Sequence, residues 1–414
     1  MALIMGTTLA LESKLAVHGG LPVRTQPFAP WPQFEPDEIE AVTNVLRSGK
    51  VNYWTGNEGR LFEEEYARYT GGQYALAVSN GTVALELALY ALGIGPGDEV
   101  VVPCRSFMAS ASCVVMRGAI PVFADIDRDS QTLTADTIRT VLSPRTKAVI
   151  AVHLAGWPCD MDPIITLARR HHLKVIEDCA QAHGATYKDR PVGSLGDAAA
   201  FSFCQDKIFT TGGEGGMVIT NDSEAWKRAW SFRDHGRDSQ PSSESCPPWG
   251  FRWMRNSFGT NWRLTEMQSA LGRVLLEKLP ERVEKRRRNA AILTSEFSKI
   301  PGLRVTPAPA EVGHAYYKYY AFVRPEALVA GWDRDRILAA LNAEGIPSFV
   351  GSCSEIYLEK AFSNGLRPVE RCRVGRDLGE TSLMFLVHST LGDGDMRDTC
   401  RAVEKVMRVA TLQC

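Results

Sequence analysis

Between residues 75 and 220, short and nearly continuous apolar runs alternate with segments whose apolar residues recur every three or four positions. The runs are "DEVVVPC" (98–104), "AIPVFADID" (119–127), "KAVIAVHL" (147–154), "LKVIEDC" (173–179), "AAAFSF" (198–203) and "GGMVITN" (215–221). Strands that are apolar at almost every position are buried on both faces. Between them, "TADTIRTVL" and "MDPIITLARRHH" carry the helical period. The pattern therefore predicts an α/β fold with a mostly parallel sheet sandwiched by helices. The stretch 263–300 reads as long helix, with Thr265 and Gln268 spelling a capping box at its start and Pro280 marking an interruption. Past Pro301 the strands and helices become shorter, which predicts a smaller α+β C-terminal domain. The expected division is an N-terminal arm over 1–40, a large domain over 41–285 and a small domain over 286–414. "DSQPSSESCPPWG" (238–250), polar and proline-rich, reads as surface loop.

Composition narrows the function classes. A chain of 414 residues exceeds a single ordinary core. Its formal net charge of -1 gives no broad basic field for nucleic acid or an acidic membrane. The run "EKRRR" (284–288) reads as the solvated face of a helix. Ten cysteines are scattered without a C-x-x-C spacing, which excludes the usual zinc and redox motifs and points to a reducing cytoplasm. The opening residues lack the basic region of a signal peptide and carry Glu12 and Lys14 where an apolar core would have to be. No apolar run approaches the roughly 20 residues of a membrane span, so no membrane partner is expected.

In open α/β sheets ligands sit beyond the carboxyl ends of the strands. Four such places stand out. In "VSNGTVALELALYALG" a strand end meets Gly81 and Thr82 and then an apolar helix, where unpaired N–H groups and the helix dipole suit a phosphate. In "VIEDCAQAHGA", Asp178 ends a buried strand and calls for a cation. In "FSFCQDK", Ser202 and Lys207 follow the next strand, and a partly desolvated lysine is a carbonyl nucleophile. In "CRSFMAS", Phe107 offers a ring to cover a planar ligand. Taken singly, each has a structural alternative: an Asn-Gly turn with Thr82 as cap, an ion-paired aspartate, a solvated lysine, a core phenylalanine. Together they describe one ligand, pyridoxal 5'-phosphate, with an aldehyde on a lysine and a ring nitrogen facing a carboxylate. The glycines of "TTGGEGG" leave the backbone free to turn around that lysine.

The motifs "NGTVALELAL", "GPGDEVVVP", "GAIPVFADID", "VHLAGWPCDMD", "EDCAQAHGA", "GSLGDAAAFSF", "GGEGGMVITND" and "GTNWRLTEMQSALG" closely resemble, in order, those of the DegT/StrS family of sugar aminotransferases. That family belongs to fold type I of the pyridoxal-phosphate enzymes. The resemblance implies that Lys207 carries the cofactor as a Schiff base, Asp178 pairs with the ring nitrogen, Gln181 lies near the ring hydroxyl and Phe107 stacks on the ring. Gly81, Thr82 and Ser202 would hold the phosphate. Asn261 would reach the phosphate of a second subunit, which makes a homodimer with shared active sites the expected assembly. Trp54, His314 and Tyr316 are candidates to touch the acceptor, and Arg263 a candidate for the donor carboxylate. Two departures stand out: "CQDK" precedes the lysine where many members carry a proline-serine pair, and "CRSFMAS" puts Arg105 and Met108 where they would alter the substrate pocket.

The implied reaction passes an amino group from L-glutamate, or L-glutamine, to a nucleotide-activated keto-sugar. Relatives that are dehydratases carry histidine in place of the lysine, so Lys207 argues for transamination. The alternatives are the same chemistry on a keto-cyclitol, and a catalytically silent pyridoxal-phosphate-binding regulator. No metal is expected. His153 and His183 also follow strand ends and read equally as hydrogen-bonded core residues.

Overall fold

The computed structural model describes residues 14–237, 255 and 257–411. The expected loop over 238–250 and the first 13 residues lie outside the described residues. The six expected runs, joined by the strand that ends before Gly81, form one seven-stranded sheet. Its strands are β1 (Tyr74–Val78), β2 (Glu99–Pro103), β3 (Ile120–Ala124), β4 (Thr146–Val152), β5 (Lys174–Asp178), β6 (Ala198–Ser202) and β7 (Gly216–Thr220), in spatial order β1-β7-β6-β5-β4-β2-β3. The ladders β2–β3, β2–β4, β4–β5 and β5–β6 are parallel, whereas β7 runs antiparallel to both β1 and β6. Six strands therefore point their carboxyl ends to one edge, and the reversed β7 starts at that same edge.

Alternation along the strands explains why the runs are apolar throughout. Leu76, Val100 and Val102 face one core, shared with α3 (Gly81–Ala91) and α4 (Ala109–Met116); the helix α1 (Pro36–Ser48) and helix α2 (Glu58–Thr70) precede them in the chain. Ala75, Ala77 and Phe201 face the opposite side, where they meet Phe62 and Tyr66 of α2. Val101, Val149 and Val175 also lie on the far side, against Met161, Ile164 and Leu167 of α5 (Met161–Arg170). Successive side chains point to opposite faces, so a strand covered twice needs apolar residues at every position.

After α6 (Ser223–Arg233) comes α7 (Glu266–Phe297), an unbroken helix of 32 residues that contains Pro280. The expected interruption is therefore corrected. Neighbours on both sides of the proline hold the helix in place: Leu279 and Val283 are buried, Lys278 pairs with Glu35, Asp37 and Glu38, and Arg282 pairs with Glu38. Packing and ion pairs thus outweigh the lost N–H. The capping box is half made. Thr265 Oγ1 accepts the N–H of Gln268, but the Gln268 amide donates to the Glu214 carbonyl at 2.6 Å.

Leu271, Leu275 and Leu279 of α7 join the core behind the large sheet, while Ala290, Leu293 and Phe297 join a second core. That core contains the strands β8 (Leu303–Arg304), β9 (Tyr319–Val323), β10 (Ser348–Phe349) and β11 (Ser382–Phe385), in order β8-β9-β11-β10 and all antiparallel. The helices α8 (Arg334–Ala343) and α9 (Asp393–Ala410) cover it. The N-terminal segment is fastened to the same unit. Leu15 enters its core, Arg24 pairs with Asp395 and Asp398, and the Glu344 carboxylate accepts the N–H groups of Ala16 and Val23.

Two of the three arginines of "EKRRR" reach inward, while Arg288 is exposed. Arg286 is 1% exposed and donates to the carbonyls of Tyr316 and Tyr317, and Arg287 donates to the carbonyl of His314. Among the described residues no helix is long and apolar enough to cross a membrane.

Glu38 is fully buried between Lys278 and Arg282. Glu38→Ala would leave two cations without their shared acid and is expected to cost about 3 kcal/mol of stability, measured by urea denaturation of the purified protein.

Candidate active site

Four strand ends meet around one cavity of about 750 Å³ at the carboxyl edge of the large sheet. It is lined by Gly81 and Thr82 after β1, Phe107 and Ser110 after β2, Asp178 and Gln181 at β5, and Ser202 and Lys207 after β6. The structure thus brings six residues singled out from the sequence as cofactor ligands, together with Lys207, into one place. A groove of similar size, about 780 Å³, runs between α7 and α9 but is lined by surface charges of both signs such as Glu296, Arg397 and Glu404.

The lysine sits in the connection from β6 to β7. Because β7 is reversed, this connection is a hairpin loop with both ends at the cavity edge, where Gly216 pairs with Val78 on one side and Ser202 on the other. A side chain at Gly216 would place its Cβ 2.5 Å from the Asn80 carbonyl oxygen, so only glycine allows this approach. Within the loop, Lys207 N–H donates to the Cys204 carbonyl at 3.1 Å, which makes the local turn without the proline-serine pair. The Trp31 indole N–H donates to the Lys207 carbonyl at 2.9 Å. Lys207 Nζ lies 3.6 Å from Asp206 Oδ1 and over the Tyr317 ring, 5.1 Å from its centre.

At the start of α3 the cap is Asn80, not Thr82. Its side chain accepts the Val83 N–H at 3.0 Å, and its carbonyl accepts the Ala84 N–H. The N–H groups of Gly81 and Thr82 have no partner among the described residues, and both residues line the cavity. Ser202 faces them so closely that a Cβ on Gly81 would lie 2.5 Å from its Cβ. Two free donors at the positive end of a helix form a seat for an anion such as phosphate.

Glu177 and Asp178 are neighbours on β5 with opposite situations. Glu177 accepts from the N–H groups of Gly193, Leu195 and Gly196 and pairs with His153; burial opposes its charge, but these contacts hold its carboxyl below the usual range. Asp178, 5% exposed, accepts among the described residues only from Ser110 Oγ at 2.7 Å and Ala180 N–H at 3.1 Å. Burial there wins and raises its carboxyl above the ordinary range. A protonated ring nitrogen brought against Asp178 would reverse this balance. Phe107 is 67% exposed, and its ring lies open on the cavity wall rather than in the core. An anion seat, an undercompensated buried acid and an uncovered aromatic ring all match the parts of pyridoxal phosphate.

Gln181 lines the cavity with its carbonyl end fixed by the Ala155 N–H at 2.8 Å. His153 and His183 are core residues. His183 donates through Nε2 to the Ser202 carbonyl and accepts from Tyr66, and burial pulls its imidazole down to about 3.

The other sequence candidates lie outside this chain's cavity. Trp54 packs edge-on against Tyr53 and Trp230. His314 and Tyr316 stack on each other at 3.8 Å. Asn261 forms a bridge with Asp234, and Arg263 pairs with the same Asp234. Neither Arg105 nor Met108 lines the cavity: Arg105 is fully buried, donating to Gln131, Ser354 and Ser382, and it reaches the cavity wall only through the Tyr320 ring, 5.3 Å from its guanidinium.

In place of His314 and Tyr316, the cavity takes Tyr317 and Lys318. The reason is backbone geometry: Tyr316 has φ +47°, which breaks strand alternation, and Tyr317 N–H is fixed on the Ala155 carbonyl. Ser110, which holds Asp178, was also missed; its only sequence signal is its place three residues after Phe107.

Together, the sheet topology and the convergent cavity define a fold-type-I pyridoxal-phosphate-dependent aminotransferase. Residues 32–404 match the model of the DegT/DnrJ/EryC1/StrS aminotransferase family, and the chain belongs to that family. A solved aminotransferase from Psychrobacter cryohalolentis superposes with a TM-score of 0.90 at 51% identity, over 92% of this chain and 99% of the other. GDP-perosamine synthase of Caulobacter vibrioides is 42% identical over 71% of this chain and 77% of its own. An L-glutamine:2-deoxy-scyllo-inosose aminotransferase of Streptoalloteichus tenebrarius is 35% identical over 95% of this chain and 97% of its own.

Two outcomes follow from this geometry. Gly81→Ala is expected to weaken pyridoxal phosphate binding at least tenfold without unfolding, read by titrating the visible absorbance of the cofactor and by circular dichroism. His183, His314 and His388 are each pulled down by burial to about 3. Between their ordinary value near 6.5 and 3 the unfolded chain binds more protons than the folded one. Stability should therefore fall as pH drops through that window, and His183→Gln should show a shallower fall in melting temperature.

Proposed function

We propose that this enzyme moves an amino group from L-glutamate to the keto carbon of a nucleotide-activated sugar, making an amino sugar for a polysaccharide. The observation that carries the reading is the meeting of Lys207 and Asp178 on one cavity beside the free N–H groups of α3. The likeness to a GDP-perosamine synthase supports the sugar acceptor. A second reading, a keto-cyclitol acceptor with L-glutamine as donor, is favoured by the inosose aminotransferase that aligns over 95% of the chain.

Bound in this cavity, pyridoxal phosphate supplies the electron sink that lets a proton leave the carbon bearing the donor's amine. The chain's residues do the rest. Gly81 and Thr82 N–H groups and Ser202 Oγ would hold the phosphate. Asp178, positioned by Ser110, would hold a proton on the ring nitrogen, an electrostatic effect strongest in a buried site. Phe107 would cover the ring and exclude water from it, while Gln181 would serve the ring hydroxyl. Lys207 would hold the cofactor, and its Nζ would be the group that carries the proton during transfer.

The reading includes a homodimer. Asn261 would serve the phosphate of the partner's site, and Trp54, His314 and Tyr316, all outside their own chain's cavity, would act on the acceptor only across the subunit boundary. The eight free cysteines among the described residues support a cytoplasmic enzyme.

Lys207→Ala is expected to lower turnover by at least a thousandfold while leaving a folded protein, measured with L-glutamate or L-glutamine against nucleotide keto-sugars and inososes. Near-normal transamination by that variant would overturn the assignment, and the acceptor that turns over fastest with the unaltered enzyme decides between the two substrates.

A further inference from the structure

Lys318 is a second amine on the wall of the same cavity. Its Nζ lies 4.8 Å from the centre of the Tyr317 ring, the ring that also carries Lys207 Nζ at 5.1 Å. Mostly buried, it makes no hydrogen bond and no ion pair among the described residues. Asp206, the acid that acts on it, is already engaged by the Tyr317 hydroxyl and by Lys207.

The amine is not a loose surface group. Its backbone follows a segment pinned to the end of β4, with Ala315 N–H on the Gly156 carbonyl and Tyr317 N–H on the Ala155 carbonyl. From below, Arg286 Nη1 donates to the carbonyls of Tyr316 and Tyr317, and two further guanidinium nitrogens of Arg286 are buried without a partner. Lys207 and Lys318 thus share a single carboxylate, Asp206, while Arg286 adds a third positive charge close enough to act on Lys318. The excess of positive charge favours an anion. Burial, followed by Arg286 and Lys207, pulls the Lys318 amine down to about 8 against the opposing effect of Asp206, as expected where a counter-charge is missing.

We propose that Lys318 receives a carboxylate of the amino donor, and so fixes which compounds can serve as donor. This rests on the aminotransferase reading of the cavity. The donor's α-carboxylate is attached to the carbon that Lys207 must reach, so a cation for it has to stand beside Lys207, as Lys318 does. The phosphates of a nucleotide-sugar lie beyond the sugar ring, away from the reacting carbon. A mostly buried amine sharing one aromatic ring with Lys207 suits the first anion.

The test uses the full-length holoenzyme with Lys318→Met and Lys318→Arg. Lys318→Met is expected to raise KM for L-glutamate or L-glutamine at least tenfold, with kcat changed less than threefold and acceptor KM unchanged; Lys318→Arg should recover most of the loss. Glutarate, which has the carboxylates but no amine to react, should inhibit Lys318→Met at least tenfold more weakly than the unaltered enzyme. Unchanged donor KM and glutarate inhibition would overturn the proposal. So would a rise confined to the acceptor KM, which would give the amine to a phosphate instead. Failure of the unaltered enzyme to lose its visible cofactor absorbance with either donor would overturn the aminotransferase reading and this assignment together, an outcome separable from loss in the variants alone.

Discussion

A carboxylate at the buried end of a central strand is costly unless positive charge or several hydrogen bonds stand against it. Glu177 and Asp178 show both outcomes on consecutive residues of β5. Glu177 points to the side where the Gly193–Gly196 turn supplies three N–H groups and His153 a fourth contact, and it is fully settled. Asp178 points to the cavity with one hydroxyl and one N–H. The strand's alternation alone separates a structural acid from one that still demands a cation. Everything else at this edge of the sheet is arranged around that demand.

Much of this arrangement was legible in the sequence. Continuous apolar runs locate strands covered on both faces, and parallel connections force their carboxyl ends to one edge. Lys207, Asp178, Ser202, Phe107 and the Gly81–Thr82 pair could therefore be placed together before any coordinates. What was not legible depends on backbone torsion or on distant partners. The positive φ of Tyr316 turns His314 and Tyr316 away and brings Tyr317 and Lys318 in. Pro280 reads locally as a break, but ion pairs from α1 and buried leucines keep α7 whole. The basic run after it looks solvated until its carbonyl partners at 314–317 are known.

The same residues show how the two sheets are held as walls of one cavity. Arg105 leaves the end of β2 and donates to Ser354 and Ser382 of the smaller unit, with its guanidinium over Tyr320 at 5.3 Å. Tyr320 in turn fixes Ser352 through its hydroxyl. Trp31 reaches from the N-terminal segment to the Lys207 carbonyl and stacks near Arg286 at 5.1 Å. None of these three residues needs to touch a substrate to set the width of the cleft.

The reversal of β7 has an evolutionary corollary. Because Lys207, the lysine proposed to react, rides on a hairpin rather than on a crossover, the ladder on either side of it closes without any help from the tip. A lineage can therefore exchange the residue at the tip, and with it the reaction performed, while the scaffold that carries it keeps its register.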